Sequence, residues 1–358
     1  MIDLPLFEDR HRALAARLGN IAGQFDHVVG LGESGEEDRA GREAIRICAE
    51  HGLCRLLVAP DFGGDGLDLR SLCLAREAIA AASGLADAVF AVQGLGSYPI
   101  ALTEPEAGSD AGALTTRASR DGDSYVIDGL KTLISNATIA SFFVVFARTA
   151  VGPKRAISAF VVPAETAGVS VERRLHISAP HPIAEVRFTA CRVPATHRLA
   201  SEGDGMRLAL GTLDFFRTSV GAAACGLAAR ALREATAHAR SRRQFGSRLA
   251  DFQLTQAALA DMATELDAAR LLVYRSAWTK DMGAERVASE SGMAKLFATE
   301  AAQRIVDRAV QIHGGLGVTR GSVVERLYRD VRPLRIYEGT SEIQRLVIAR
   351  HIIGEAED

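Results

Sequence analysis

The period of the apolar positions changes twice along the chain. Over 1–99 no alternation of period two is present. The segments 8–28, 37–53 and 70–92 are rich in Ala, Leu, Arg and Glu, and this composition predicts helices. Glycine-rich breaks separate them at 30–38 (GLGESGEED) and 59–68 (APDFGGDGLD), and Asp68 is placed to cap the third helix. Near residue 100 the texture becomes β-like. Ser124–Asp128, Phe142–Arg148, Ile157–Val162 and Ala184–Ala190 are short runs of β-branched and aromatic residues, punctuated by Asp121-Gly122, Asp128-Gly129 and prolines. From about Gly205 the helical pattern returns. Leu259, Met262, Leu266, Ala269 and Val273 form one apolar stripe; Met293, Leu296, Phe297, Ala301 and Ile305 form a second. The expected fold is α+β and multidomain: an N-terminal helical domain at 1–101, a middle antiparallel β-barrel-like domain at 102–205, and a C-terminal four-helix bundle at 206–358. The closing EAED reads as a frayed tail.

Composition narrows the function. The 358 residues carry a net charge of -2, so no basic excess points to nucleic acid. No run approaches the ~18 uncharged apolar residues of a membrane-spanning helix. The opening MIDLPLFEDRHR places acids where a secretory signal would place cations. Five scattered cysteines, Cys48, Cys54, Cys73, Cys191 and Cys225, read as buried thiols of a reducing compartment, and a cytoplasmic location is expected.

Several chemistries find no motif. No G-x-G-x-x-G opens a strand–turn–helix unit, no phosphate-binding P-loop occurs, and Gly94-Leu95-Gly96-Ser97 only approaches a nucleophile elbow. Cys48, His51 and Cys54 could share a helix face, but no fourth ligand stands nearby and no metal is expected. Four segments fit plain core poorly. Thr103–Asp110 (TEPEAGSD) can offer hydroxyls and backbone N–H groups to a phosphate or flat ring, or can be a turn between domains. Lys131–Asn136 (KTLISN) follows an Asp-Gly turn and can present a hydroxyl or simply form a hairpin arm. Arg240–Gly246 (RSRRQFG) closes a long helix, as cations and a glycine do, or clamps a phosphate with Phe245 stacked on a ring. The last comprises Gln311–Gly317 (QIHGGLG) and Arg335–Gln344 (RIYEGTSEIQ). In it Glu338 lies between apolar residues and Gly339, just before a helix that Thr340 or Ser341 could cap. A carboxylate so placed is a candidate base, or a capping-loop acid.

Taken together, RRQFG, QIHGGLG and IYEGTSEIQRLVIAR in this order resemble the acyl-CoA dehydrogenase family, from roughly residue 40 to the end. The resemblance implies FAD and the α,β-dehydrogenation of an acyl-CoA thioester to the 2-enoyl-CoA, with Glu338 as α-proton base. It implies cofactor contacts from Thr103, Ser109, Leu133, Ser135, Arg242, Phe245, Gln253, Gln311, Gly314, Gly315, Thr340 and Glu342. Substrate contacts are implied for Ser109, Asp214, Phe216, Arg217 and Gly339. Arg242, Phe245, Gln311, Gly314 and Gly315 match a clamp given to a neighbouring subunit's flavin. A homo-oligomer, at least a dimer and usually a tetramer, is therefore implied, with an electron-transfer flavoprotein or similar acceptor as partner. The chain departs from the family in three places. A stretch of roughly two dozen residues is missing before Ala101, unusual within a compact domain. Leu133 replaces an aromatic residue, and Phe216 is large where the acyl chain is expected, which favours short, branched or cyclic acyl groups. Two alternatives remain: a flavin oxidase or monooxygenase on the same fold, and a non-catalytic shortened homologue that binds CoA esters.

Overall fold

The computed structural model describes residues 2–66, 68–94, 100–149 and 156–354. The EAED tail, Leu95–Ser97 of the near-elbow and most of the junction before Ala101 lie outside the described residues. The helices are α1 (Asp9–Gly19), α2 (Asp26–Glu33), α3 (Glu37–Glu50), α4 (Leu69–Ala82), α5 (Gly84–Gly94), α6 (Gly205–Ser241), α7 (Gln253–Asp281), α8 (Ala288–His313), α9 (Val323–Val331) and α10 (Ser341–Ile353). N-terminal helices, a middle β-sheet and C-terminal helices therefore follow in the expected order. The chain forms two compact units: Met1–His27 with Gly66–Asp87 and Asp214–Asp358, and Val28–Asp65 with Ala88–Leu213.

In the first unit Asp68 caps α4, its side chain accepting from the Ser71 N–H at 3.2 Å. Two helix expectations needed correction. The segment 8–28 is broken after Gly19 by a 3-10 turn at Ala22–Phe25, and the glycine-rich break begins late, because Gly30 and Gly32 lie inside α2. The segment 70–92 is interrupted at Ser83, whose hydroxyl accepts from the Ala86 N–H and starts α5. Helices α6, α7 and α8 approach closely at Gly221, where a Cβ would lie 2.8 Å from Val273 Cγ2. Met262, Leu266, Ala269 and Val273 are buried on α7 as expected, with Leu259 half-buried. On α8 the buried stripe is rotated from the expected one. Ser291, Ala294, Lys295, Ala298, Ala301, Ala302 and Ile305 are inside, while Met293, Leu296 and Phe297 are half-buried. Small residues permit the close approach, and that sets which face turns inward.

The N-terminal segment is tied to this unit by a buried polar cluster. His11 Nδ1 accepts from the Glu8 N–H at 3.0 Å, so the ring proton sits on Nε2 and is donated to Asp68 at 2.7 Å. Buried Arg70 reaches Glu8, the Leu6 carbonyl and Asp281.

The second unit is built on an eight-stranded sheet of β1 (Ile100–Ala101), β2 (Arg117–Asp121), β3 (Ser124–Ser135), β4 (Phe142–Arg148), β5 (Ile157–Pro163), β6 (Val169–Arg174), β7 (Ile183–Pro194) and β8 (Arg198–Leu199). Its order is β6-β7-β3-β2-β4-β5-β8, with β1 on β4. The long ladders are antiparallel as expected, but β1 and β2 both pair with β4 in parallel. Strand β4 does not alternate in sequence because both faces are buried: Phe143 and Val145 enter one apolar cluster, Val144 and Phe146 another. Strand β6 escaped the sequence reading because its residues are mostly polar and exposed.

A buried ion pair locks the segment after β1. Lys131 Nζ donates to Glu104 at 2.9 Å and to the Leu102 carbonyl at 3.1 Å, and Glu104 also accepts from the N–H groups of Thr115 and Thr116. Burial pushes the Glu104 carboxyl upward, but Lys131 and these donors overcome it and hold it at about 2.

Two stability predictions follow. Burial keeps the His11 pKa below its ordinary 6.5 against the pull of Asp68. A depressed folded-state pKa contributes stability that is present above the unfolded value and lost as pH falls. Denaturation at about pH 7.5 and about pH 5 should show that loss, and His11→Gln, whose amide can make both hydrogen bonds, should reduce it. Lys131→Met should destabilise the fold by ~3–5 kcal/mol in urea unfolding, because Glu104 is left buried without its counter-charge. Adding Glu104→Gln should recover part of that loss.

Candidate active site

Glu338 follows the 3-10 turn Arg332–Arg335 and precedes α10, whose N-cap Thr340 accepts from the Ile343 N–H at 3.3 Å. The expected cap is thus Thr340. Ser341 instead donates to Glu300, which also takes Arg335. Glu338 and Gly339 both have left-handed backbones, with φ of 54° and 89°. Glycine suits 339 because its φ of 89° is a backbone conformation that L side chains rarely adopt, and a Cβ there would also press on Gln344 Nε2 at 2.6 Å. For Glu338 the same region is strained, and only surrounding structure can maintain it.

That surrounding structure is a set of donors on two carbonyls. Arg217 Nε reaches the Glu338 carbonyl at 3.3 Å, and Gln344 Nε2 bridges the Glu338 and Gly339 carbonyls at 3.2 and 3.0 Å. Lys295 Nζ donates to the Gly339 carbonyl at 2.6 Å. The Glu338 side chain is half-buried, and its Oε2 is enclosed without a hydrogen-bond partner. Burial raises its pKa, opposed by Arg76, Lys295 and Arg217 and helped by Asp87. Burial likewise brings the Lys295 ammonium down to about 8. Arg76 is itself buried in a two-pronged pair with Asp87 at 3.0 and 2.8 Å and donates to Ser219. Asp214 accepts from Arg217 at 2.9 Å and Arg286 at 2.8 Å, so both of its oxygens are engaged inside the protein. Phe216 is buried against Phe215.

The other expected residues fall in two groups. In the second unit the Thr132 N–H donates to the Thr103 carbonyl at 3.0 Å, which joins the Thr103 segment to the end of β3. There the register with β7 shifts between Lys131 and Ile134. Leu133 takes a φ of 56° and is 53% exposed, while Ser135 is half-buried. Ser109 is exposed on the adjoining turn. In the first unit Arg242, Phe245, Gln253, Gln311, Gly314 and Gly315 are all exposed. The stacked rings of His238 and His313, 4.3 Å apart, bring the ends of α6 and α8 together. Arg240–Gly246 does not simply close a helix. Helix α6 ends at Ser241, and residues 243–248 form a hairpin with Phe245 and Gly246 at its turn, both with positive φ. Phe245 is 96% exposed there. Exposed Glu342 sits in the first turn of α10, where a backbone N–H and the Thr340 hydroxyl lower its pKa.

Lys295, Gln344 and the pairs Arg76–Asp87 and Glu104–Lys131 received no role from the sequence. One signal was available for Lys295: a lysine interrupting a stripe of small residues on a long helix. All five cysteines are free. Among the described residues no His, Cys, Asp and Glu cluster could hold a metal, and no helix is long and apolar enough to cross a membrane.

Three family models match the chain: acyl-CoA dehydrogenase N-terminal domain at 26–107, middle domain at 99–191 and C-terminal domain at 203–353. The cyclohexane-1-carbonyl-CoA dehydrogenase of Geobacter metallireducens is 35% identical, over 88% of this chain and 90% of the relative. The mitochondrial short-chain specific acyl-CoA dehydrogenase of Sus scrofa is 39% identical, over 89% of this chain and 84% of the relative. Among solved structures, an acyl-CoA dehydrogenase complexed with FAD from Bacillus anthracis superposes with a TM-score of 0.87 at 30% identity, covering 98% of this chain and 68% of that one. The chain belongs to the acyl-CoA dehydrogenase family, FAD-dependent oxidoreductases that act on a CH–CH bond.

Proposed function

We propose that this protein converts an acyl-CoA thioester to its 2-enoyl-CoA, with Glu338 removing the α-proton. The observation that carries the reading is the enclosed Oε2 of Glu338, which has no hydrogen-bond partner and belongs to a carboxyl whose pKa is raised by burial. A base for a weakly acidic C–H must be anionic yet poorly solvated, and a raised pKa improves its match to the proton it takes. The backbone N–H of Glu338 would donate to the thioester oxygen and stabilise the enolate charge that develops. FAD, when bound, supplies the hydride acceptor that no side chain can provide.

The residues present fit that cofactor. The Thr103 segment and the displaced end of β3 bring hydroxyls and exposed Leu133 to one edge of the second unit, joined by the Thr132–Thr103 hydrogen bond. Thr103, Ser109, Leu133 and Ser135 would hold the flavin ring. Gly314 and Gly315 leave open space around their Cα atoms, and Arg242 offers an exposed guanidinium. These, with Phe245, Gln253, Gln311, Thr340 and Glu342, would take the remainder, partly from a neighbouring copy. An exposed aromatic ring on a hairpin turn is better explained by such a copy than by a monomer, which supports a homo-oligomer, a dimer at least and a tetramer by the family's habit.

Phe216, a large buried ring where the family's acyl chain would lie, would limit acyl length, and the similarity to enzymes named for short-chain and cyclohexane-1-carbonyl substrates supports a short, branched or cyclic acyl group. Ser109 and Gly339 would meet the substrate directly. Asp214 and Arg217, engaged with each other, would act on it through the Glu338 loop. The electron acceptor would be an electron-transfer flavoprotein or a similar carrier, and scattered free thiols fit the reducing cytoplasm. Exposed Leu133 favours an oxidase reading as second choice, since an aliphatic side chain there shields a flavin less than an aromatic ring would.

Glu338→Gln should keep FAD and acyl-CoA binding but lose turnover by roughly three or more powers of ten. Undiminished turnover would assign the base elsewhere. In the wild-type protein, anaerobic bleaching by an acyl-CoA followed by slow reoxidation in air is expected; rapid reoxidation would select the oxidase.

A further inference from the structure

Arg217, Lys295 and Gln344 donate to the Glu338–Gly339 link, while the cations acting on the Glu338 carboxyl are Arg76, Lys295 and Arg217, and these three are not equivalent. Arg76 is matched by Asp87 in a buried two-pronged pair, and Arg217 is matched by Asp214. Lys295 is fully buried, and its ammonium donates to the Gly339 carbonyl rather than to an acid. Gln344, also fully buried, donates to both carbonyls of the link. The groups facing the loop are Arg76 from α4, Asp87 from α5, Asp214 and Arg217 from α6, Arg286 before α8, Lys295 and Glu300 from α8, Glu342 from α10, and Tyr337 beside Glu338. In this set Lys295 is the buried cation without a hydrogen-bonded carboxylate.

We propose that Lys295 is a positioning residue for the reaction, pinning the Gly339 carbonyl so that Glu338 stays in its left-handed conformation while the lysine charge favours the ionised carboxylate; Gln344 shares the pinning but not the charge. The inference rests on Glu338 being the base. Two effects are therefore separable. An apolar side chain at 295 removes a contact and a charge, a neutral amide there removes the charge, and an apolar side chain at 344 removes contacts alone. A charge in a low-dielectric surround acts strongly on its neighbour, so its loss should be visible as a titration shift.

The test uses the FAD-loaded protein with Lys295→Met, Lys295→Gln and Gln344→Met. The readouts are the pH profile of kcat and, without turnover, the pH dependence of the protonated-carboxyl infrared band, assigned to Glu338 by its disappearance in Glu338→Gln. Both Lys295 variants should move the acid limb of kcat and the midpoint of the infrared band alkaline by roughly one pH unit, a tenfold change in proton affinity. They should lower kcat near neutral pH about tenfold or more while FAD content stays unchanged. Gln344→Met should lower kcat with the infrared midpoint unmoved. If the Lys295 variants fold and neither readout moves, the inference is overturned, and so it is if Gln344→Met moves the midpoint as far as they do. Should Lys295→Met not fold, the shorter Lys295→Gln, which keeps a donor for the carbonyl, decides on the same midpoint. If neither Lys295 variant folds, Gln344→Met decides: a lowered kcat at an unmoved midpoint supports the pinning, and unchanged kcat overturns it. Failure of the base assignment is distinct: Glu338→Gln would then retain turnover, whatever Lys295 does to the band.

Discussion

Keeping a carboxylate out of water without neutralising it is the constraint on which this structure turns. An isolated buried acid would protonate, because removal of an ion from water costs several kcal/mol or more. The protein meets this with cations at different states of compensation. Arg76 is held by Asp87, and Arg217 shares Asp214 with Arg286, yet both still draw the Glu338 carboxyl down, Arg76 most of the three cations. Lys295 keeps its charge unshared. The balance leaves Glu338 raised above the ordinary carboxylate value by burial, while the three cations limit the rise. For the proposed role of Glu338 as base, a weaker surround would give a protonated acid that cannot abstract a proton. A fully paired one would give a carboxylate too stable to do so.

The same loop carries strain, and the strain is maintained by tertiary contacts. Positive φ at Glu338, Leu133 and Phe245 occurs on side chains that do not favour it. Each instance has a local cause. Glu338 precedes Gly339 and is held by three donors to the paired carbonyls. Leu133 lies where β3 shifts register against β7, immediately after the buried Lys131–Glu104 pair. Phe245 shares a two-residue hairpin turn with Gly246, a turn type that requires positive φ at both positions. Strained residues held by their surroundings concentrate where a protein meets a ligand or partner, and these three fall in segments that the sequence motifs had singled out.

Much of the architecture was legible beforehand, for specific reasons. The run Phe142–Arg148 was readable as a strand because β-branched and aromatic side chains fit a sheet buried on both faces. Asp68 was readable as a cap because a short acid before a helix-favouring segment has one obvious donor to satisfy. On α8 hydrophobicity alone does not mark the inner face. Close helix packing instead selected alanines, serine and a lysine. The parallel pairing of β1 and β2 with β4 involves residues far apart in sequence, and no local period encodes it.

From the order of side chains alone came the sequence of helical and β regions, the turn chemistry around Gly339 and Thr340, and Glu338 as the acid to examine. These depend on local preferences and on motifs that are contiguous in the chain. What surrounds that acid did not come from there. Arg76, Asp87, Arg217, Lys295 and Gln344 are drawn from positions spread over most of the first unit, and their convergence depends on how α4, the start of α5, α6, α8 and α10 pack. Proton affinity is set by distances and solvent exclusion in three dimensions, so only the folded arrangement could decide it.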